Sequence, residues 1–260
     1  MNKKDLKIIL DSLYLKYSGY YSSKDPVWIL RRFDDEKDIE TAGFITSCFA
    51  YGKVELINKF ILDFFEKIDF KVHEFTLNYS ELKDKKHFEK LYYRFNTSED
   101  LSLLLMNLSS VLRNSGSLKN RFSQDYSQSD KNIIPALTSF TAELNVINRK
   151  NSNYNYLVPS PENNSACKRL NLFLRWMIRN DNSDLGIWSG SFDKSKLVMP
   201  VDTHIYRISK KLKLVKRNSC DLKFALELTE SLKKFDKYDP VKYDFALCHY
   251  GIDKEINLIN

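Results

Sequence analysis

Apolar residues recur along the chain at intervals of three and four, the spacing that lines one face of an α-helix. Leu6, Ile9, Leu10, Leu13 and Tyr17 form the first stripe, and Ile57, Phe60, Ile61, Phe64, Phe65 and Ile68 a second. Phe88, Leu91, Tyr92 and Phe95 come after these. Leu101, Leu104, Leu108, Val111 and Leu112 come next, with Ser98 placed to cap their helix. Leu137, Phe140, Leu144 and Ile147 continue the series beyond Pro135. Residues 39–50 are apolar nearly all round, which predicts a buried central helix. Only residues 72–79 alternate in the manner of a short strand. Residues 114–132 and 149–164 are rich in Ser and Asn and predict loops. No internal repeat is present. The pattern predicts an all-α fold of about ten helices.

Three helices in the second half carry sharper punctuation. One is predicted over 165–179, with Ser165 as N-cap and Lys168 in its first turn. Its apolar face holds Leu170, Phe173, Leu174 and Met177, and Lys168, Arg175 and Arg179 share another. The next begins at Asp202, after Pro200-Val201. It buries Ile205, Ile208 and Leu212, and leaves Arg207, Lys210, Lys211 and Lys213 mostly exposed. The last opens at Asp239-Pro240 and ends before Gly251.

Composition narrows the picture. Among 260 residues only seven are glycine and six proline, too few for the many tight turns of a sandwich, barrel or propeller. No G-x-G occurs, so neither a dinucleotide fingerprint nor a phosphate loop is present. Met1–Lys7 is charged and lacks the apolar run of a secretory leader. The longest uncharged apolar-rich stretch, 101–112, is too short to span a bilayer. Cys48, Cys167, Cys220 and Cys248 are scattered with no C-x-x-C, which predicts reduced thiols and a cytoplasmic location. The net charge of +7 is uneven. Residues 149–217 hold fourteen Lys and Arg against five Asp and Glu, while the rest of the chain holds 27 against 29. Such a basic segment points to a polyanion, nucleic acid first, or to no more than a solvated lysine-rich face.

Two residues stand out chemically. Lys168 lies where the positive helix end opposes an ammonium, an arrangement that favours the neutral, nucleophilic amine able to form a Schiff base. An exposed lysine with no role is the plainer alternative. Asp202 reads as an N-cap, and an ionised carboxylate in a cleft also stabilises an oxocarbenium-like transition state. The two roles are compatible. His204 has no second ligand at position 208, an Ile, so no metal site is expected. Asp181 and Asp184 fall in a predicted loop, 180–190, as solvated residues or caps. Cys167 lacks a His or Asp partner and reads as a small buried residue. Trp28, Trp176 and Trp188, with Tyr51, are candidate faces for an extruded base, beside core packing as the alternative. Lys53 comes after Tyr51-Gly52 within reach of DNA. Arg169, Arg175, Arg179, His204, Arg207 and Lys210 complete a candidate nucleic-acid surface.

Met199-Pro200-Val201-Asp202-Thr203-His204-Ile205-Tyr206-Arg207-Ile208 closely resembles a signature of the helix-hairpin-helix DNA glycosylases, which include endonuclease III. Phe245-Ala246-Leu247-Cys248-His249-Tyr250-Gly251 is similar to their late helix, and residues 44–51 to their early helix pair. Over nearly its whole length the chain resembles an uncharacterised bacterial family related to that superfamily. That likeness rests on Asp25-Pro26-Val27, Ala50-Tyr51-Gly52, Tyr93-Arg94-Phe95, Ser165-Ala166-Cys167-Lys168-Arg169, Leu174-Arg175-Trp176-Met177, Asp184-Leu185-Gly186-Ile187-Trp188 and Asp239-Pro240-Val241. In pattern it is most similar to a divergent archaeal branch specific for 8-oxoguanine.

The resemblance implies a two-lobed all-α helix-hairpin-helix glycosylase-like fold with an altered hairpin. One lobe would span 38–182, and the other 1–37 plus 183–260, with a basic cleft between them. It implies Asp202 as the catalytic carboxylate and Lys168 as the nucleophile of a base-excision glycosylase and AP lyase acting on an oxidised purine. The implied partner is damaged double-stranded DNA bound by a monomer, without a membrane. No cofactor is implied, and no iron–sulfur cluster, because no cysteine cluster comes after Gly251. The departure lies at 158–165, where the superfamily's Gly-x-Gly hairpin has no glycine counterpart. A DNA- or RNA-binding protein that keeps the fold without catalysis is the alternative.

Overall fold

The computed structural model describes residues 3–18 and 25–252. Fourteen α-helices run in order among them: α1 Lys3–Ser18, α2 Val27–Leu30, α3 Glu36–Cys48, α4 Val54–Glu66, α5 Val72–Leu77, α6 Glu81–Asp84, α7 Ser98–Ser115, α8 Leu118–Gln124, α9 Ile134–Leu144, α10 Ser152–Leu157, α11 Lys168–Ile178, α12 Thr203–Lys211, α13 Leu222–Lys233 and α14 Asp244–Ile252. The strands are one antiparallel hairpin, β1 Tyr92–Tyr93 and β2 Asn96–Thr97, with Tyr93 opposite Asn96. The chain is mostly helical, as its glycine-poor composition predicts. No described helix is long and apolar enough to cross a membrane.

The chain forms two compact units. One comprises residues 1–21, 131–133 and 164–260, and the other 22–130 and 134–163. The sequence division was expected after residue 182. The compact units divide instead between 163 and 164, so α11 packs with the segment that carries Asp202. The reason is burial. Every residue of α11 from Arg169 to Ile178 is buried, and its carbonyls bind the loop beyond its C-terminus rather than anything before it.

In the unit 22–130 and 134–163, α3 is the buried central helix, with Ala42, Phe44, Ile45 and Cys48 inaccessible. Buried Glu40 turns its carboxylate to the backbone N–H groups of Leu118 and Lys119, at 2.7 and 3.0 Å, and so caps α8 from another helix. Three local expectations are corrected here. Residues 72–77 form α5, not a strand, because Val72 and Thr76 are buried one helical turn apart. Residues 118–124 form α8 inside the Ser/Asn-rich stretch, with Ser117 capping it and Leu118 and Phe122 buried. Residues 152–157 form α10 in the second such stretch, capped by Asn151. The cap of α7 is Thr97, not Ser98, in a reciprocal capping box with Asp100.

In the unit holding residues 164–260, α14 packs against both α1 and α12. Tyr243, just before α14, donates to Asp11 of α1 at 2.8 Å. Helix α14 runs through Gly251, so that glycine lies inside the helix rather than beyond its end.

Candidate functional site

Asp202 is the N-cap of α12, as its position before an apolar-periodic run predicts. One oxygen, Oδ1, accepts from the backbone N–H groups of His204 and Ile205, both at 2.9 Å. The other, Oδ2, faces the Cys248 thiol of α14 at 4.0 Å. The carboxylate is half-buried, so one oxygen is consumed by the helix while the second is aimed elsewhere.

Lys168 is the first residue of α11. The expected cap, Ser165, lies two residues too early. Its hydroxyl accepts from the Cys167 N–H at 3.2 Å, and the N-cap position is Cys167 itself. Cys167 is left-handed, with φ +44°, and Asn164 before it has φ +55°. The backbone thus makes two turns of the kind glycine usually supplies, without glycine. Asn tolerates that conformation. No side chain caps α11 at Cys167. Burial pushes the Cys167 thiol up to about 11, which leaves it a poor nucleophile.

The link between these two helix starts is Asp244, the first residue of α14. Its carboxyl is buried and ion-paired with Arg175 of α11. Burial pushes it up to about 6. The Arg175 charge opposes that rise, the Asp202 carboxylate adds to it, and the Lys168 charge opposes it. Arg175 also reaches Asp184 at 3.0 Å, and Arg179 pairs with Asp184, with Asp181 at 2.8 Å and with Asp239 at 2.8 Å. Asp184 is therefore corrected: it is not a solvated loop residue but a buried counter-ion of Arg175 and Arg179, while half-buried Asp181 pairs with Arg179 and caps the backbone N–H groups of Ser183 and Asp184. Desolvation raises Asp184 despite its two arginines.

The remaining expected site residues divide by burial. Arg175 and Arg179 are 3% and 4% exposed in their side chains and engaged by carboxylates, so neither is available to a DNA phosphate. Arg169 is buried too. Trp176 is wholly buried, and Trp188 packs on Phe173 and Phe192 at 5.2 and 5.5 Å. Both are core side chains, and neither offers a face for a base. Lys210 donates to the carbonyls of Lys216 and Arg217 and to Asn218 Oδ1, tying down the loop after α12. His204 is half-buried, and Arg207 is exposed, with no ion pair among the described residues. Lys53 is exposed and Tyr51 half-buried, both in the other unit. No group of three or more His, Cys, Asp or Glu among the described residues is arranged to hold a metal.

Sequence reasoning missed Asp239 and Asp244 as partners of α11 and Cys248 as the neighbour of Asp202. The acids lie 60 and 69 residues from the arginines they meet, and no local pattern encodes such a pairing.

Fold and site together define a two-unit helical protein in which one unit carries a lysine and an aspartate at two helix starts and a buried arginine–carboxylate network. The chain belongs to the DUF2400 family of proteins of unknown function, whose model matches residues 25–253. No curated protein and no solved structure matches it.

Proposed function

We propose that the chain is a DNA glycosylase with lyase activity, acting on an oxidised purine such as 8-oxoguanine in double-stranded DNA. What supports this reading is the joint bearing of Asp202 and Lys168 on one buried group. Both stand at helix N-termini in the same unit, and both act electrostatically on the Asp244 carboxyl. The resemblance of residues 199–208 to the glycosylase signature adds the chemistry. Exposed Arg207 and Lys213 add charge around α12. Four free thiols fit a reducing, cytoplasmic setting. The protein acts as a monomer without a cofactor.

In this reading the damaged nucleotide is turned out of the duplex. The Lys168 amine attacks the anomeric carbon as the glycosidic bond breaks, and the base leaves with the bonding pair and gains a proton. Asp202 stabilises the positive charge that develops on the sugar. The sugar ring opens to a Schiff base on Lys168. Loss of a C2′ proton then expels the 3′ phosphate.

Borohydride trapping tests the proposal, because hydride reduces the C=N bond to a permanent link. A covalent adduct is expected on duplexes with an abasic site and with 8-oxoguanine. Lys168→Gln abolishes it, and exposed Lys223→Gln keeps it. Asp202→Asn slows base release by about 100-fold or more. Duplex binding without an adduct on either substrate would replace this reading with a nucleic-acid-binding protein that lacks catalysis.

A further inference from the structure

Three segments of the unit 22–130 and 134–163 meet in a cluster of rings that reaches solvent. Tyr51 lies just after α3, Phe95 sits at the hairpin tip and Tyr156 lies on α10. Tyr51 and Phe95 stack with centroids 5.6 Å apart and planes 30° apart. Tyr156 meets both edge-on, at 5.3 and 4.9 Å. Phe95 is 42% and Tyr156 46% exposed, and no other phenylalanine among the described residues is exposed. Leaving such rings partly in water forgoes favourable burial.

The cluster is held by a polar frame. The Tyr51 hydroxyl donates to Asn96 Oδ1, and the Tyr93 hydroxyl to the Tyr51 carbonyl. Asn96 is 1% exposed, and its amide donates to the Asn153 carbonyl at 3.3 Å. Asn153 in turn donates to the Phe95 carbonyl at 3.0 Å. This frame ties the segment after α3 to the hairpin and to α10.

Two cations beside them break local preferences. Arg94 holds φ +57° at the hairpin tip, a left-handed conformation that disfavours a non-glycine residue. Its guanidinium lies 5.6 Å from the Tyr51 ring centre. Gly52 makes room for it, since a Cβ there would fall 2.7 Å from Arg94 Nη1. Lys53 occupies the N-cap of α4, offers no capping bond, and opposes the helix dipole. Both are exposed, and neither has a carboxylate partner among the described residues. Locally unfavourable residues gathered at one place mark a site rather than a scaffold.

We propose that this cluster is a stacking platform for unpaired bases of single-stranded nucleic acid, with Arg94 and Lys53 holding the flanking phosphates. Ring faces accept any base, and the two unpaired cations complement a phosphate chain. In a duplex the base faces are already stacked on one another. The platform uses neither Lys168 nor Asp202, so its failure and that of the glycosylase reading are separable.

Anisotropy of fluorescein-labelled oligothymidylate and oligouridylate, each about a dozen nucleotides long, on the full chain tests it. Phe95→Ala combined with Tyr156→Ala is expected to weaken binding of at least one strand by about 10-fold or more. Replacing Tyr238, an exposed tyrosine of the other unit, by Ala leaves it unchanged. Arg94→Gln keeps all the rings. It lowers the slope of log affinity against log salt by about 0.7. Undiminished binding in both the ring variant and Arg94→Gln overturns the proposal. So does a wild-type chain that binds neither strand, or one whose platform takes a proline-rich peptide that the oligonucleotides do not displace. The trapping assay on Lys168 reads none of these outcomes.

Discussion

The two oxygens of Asp202 face different demands. Oδ1 closes the first turn of α12, and Oδ2 is turned toward Cys248 of α14. Asp202→Ala should therefore lower stability by about 1 kcal/mol as the cap is lost. Asp202→Asn keeps an amide oxygen for the same N–H groups and should lie close to the parent in urea unfolding, while base release falls in both. A parallel loss of stability and activity in the two variants would reduce Asp202 to a cap. This residue was legible because capping is local: the acceptor and its donors lie within three positions. Arg175 and Arg179 were not. A long cation three or four positions from another reads as an exposed stripe. Only distant Asp239 and Asp244, with Asp184, convert that stripe into a buried network.

Helix α11 is closed at its C-terminal end by residues 185–188. The Trp176 carbonyl accepts from the N–H groups of Leu185 and Gly186, and the Met177 carbonyl accepts from Trp188 at 2.7 Å. The loop after the helix thus satisfies carbonyls that a helix end leaves open. Gly186 makes this possible at φ +65°; an added Cβ would lie 2.5 Å from Asn180 Cβ and 2.9 Å from its Cα. Gly186→Ala should destabilise the protein by at least about 1–2 kcal/mol in urea, from the left-handed backbone alone. Unchanged stability would mean the loop moves without cost. At this scale periodicity served well for the long helices and poorly for short ones. Over six residues, 72–77 fit a strand and a helix equally, and burial of Val72 with Thr76 decides for the helix. Ser117 and Asn151 read as loop residues but cap α8 and α10, because the residues that favour turns also favour helix starts.

Across the whole molecule, part of the basic excess of residues 149–217 is answered by acids elsewhere in the chain. Arg149 pairs with Glu81 and Glu99, Arg175 with Asp244, Arg179 with Asp239 and Arg217 with Asp221. A window of sequence counts charge along the chain, whereas a ligand meets charge in space. One such pair has a measurable acid limb. Hydrogen bonding to Arg149 holds the Glu81 carboxyl down at about 2. A folded value below the unfolded one stabilises the fold above the ordinary carboxylate range, about 4.3. That contribution is lost as pH falls from there toward 2. Glu81→Gln should flatten this part of the stability–pH curve in thermal unfolding, with little change in its shape above pH 5. An unaltered acid limb would place the loss elsewhere.

By itself the sequence determined that the chain is helical, where its long helices lie, and which aspartate caps α12. These come from spacing, from the scarcity of glycine and from interactions spanning a few residues. The tertiary structure alone decided which cations are buried, which aromatic rings reach solvent and which helix shares a unit with Asp202. Each depends on groups tens of residues apart meeting in space. The free energy of a buried charge or an exposed ring is set by its neighbours there, not by its neighbours along the chain.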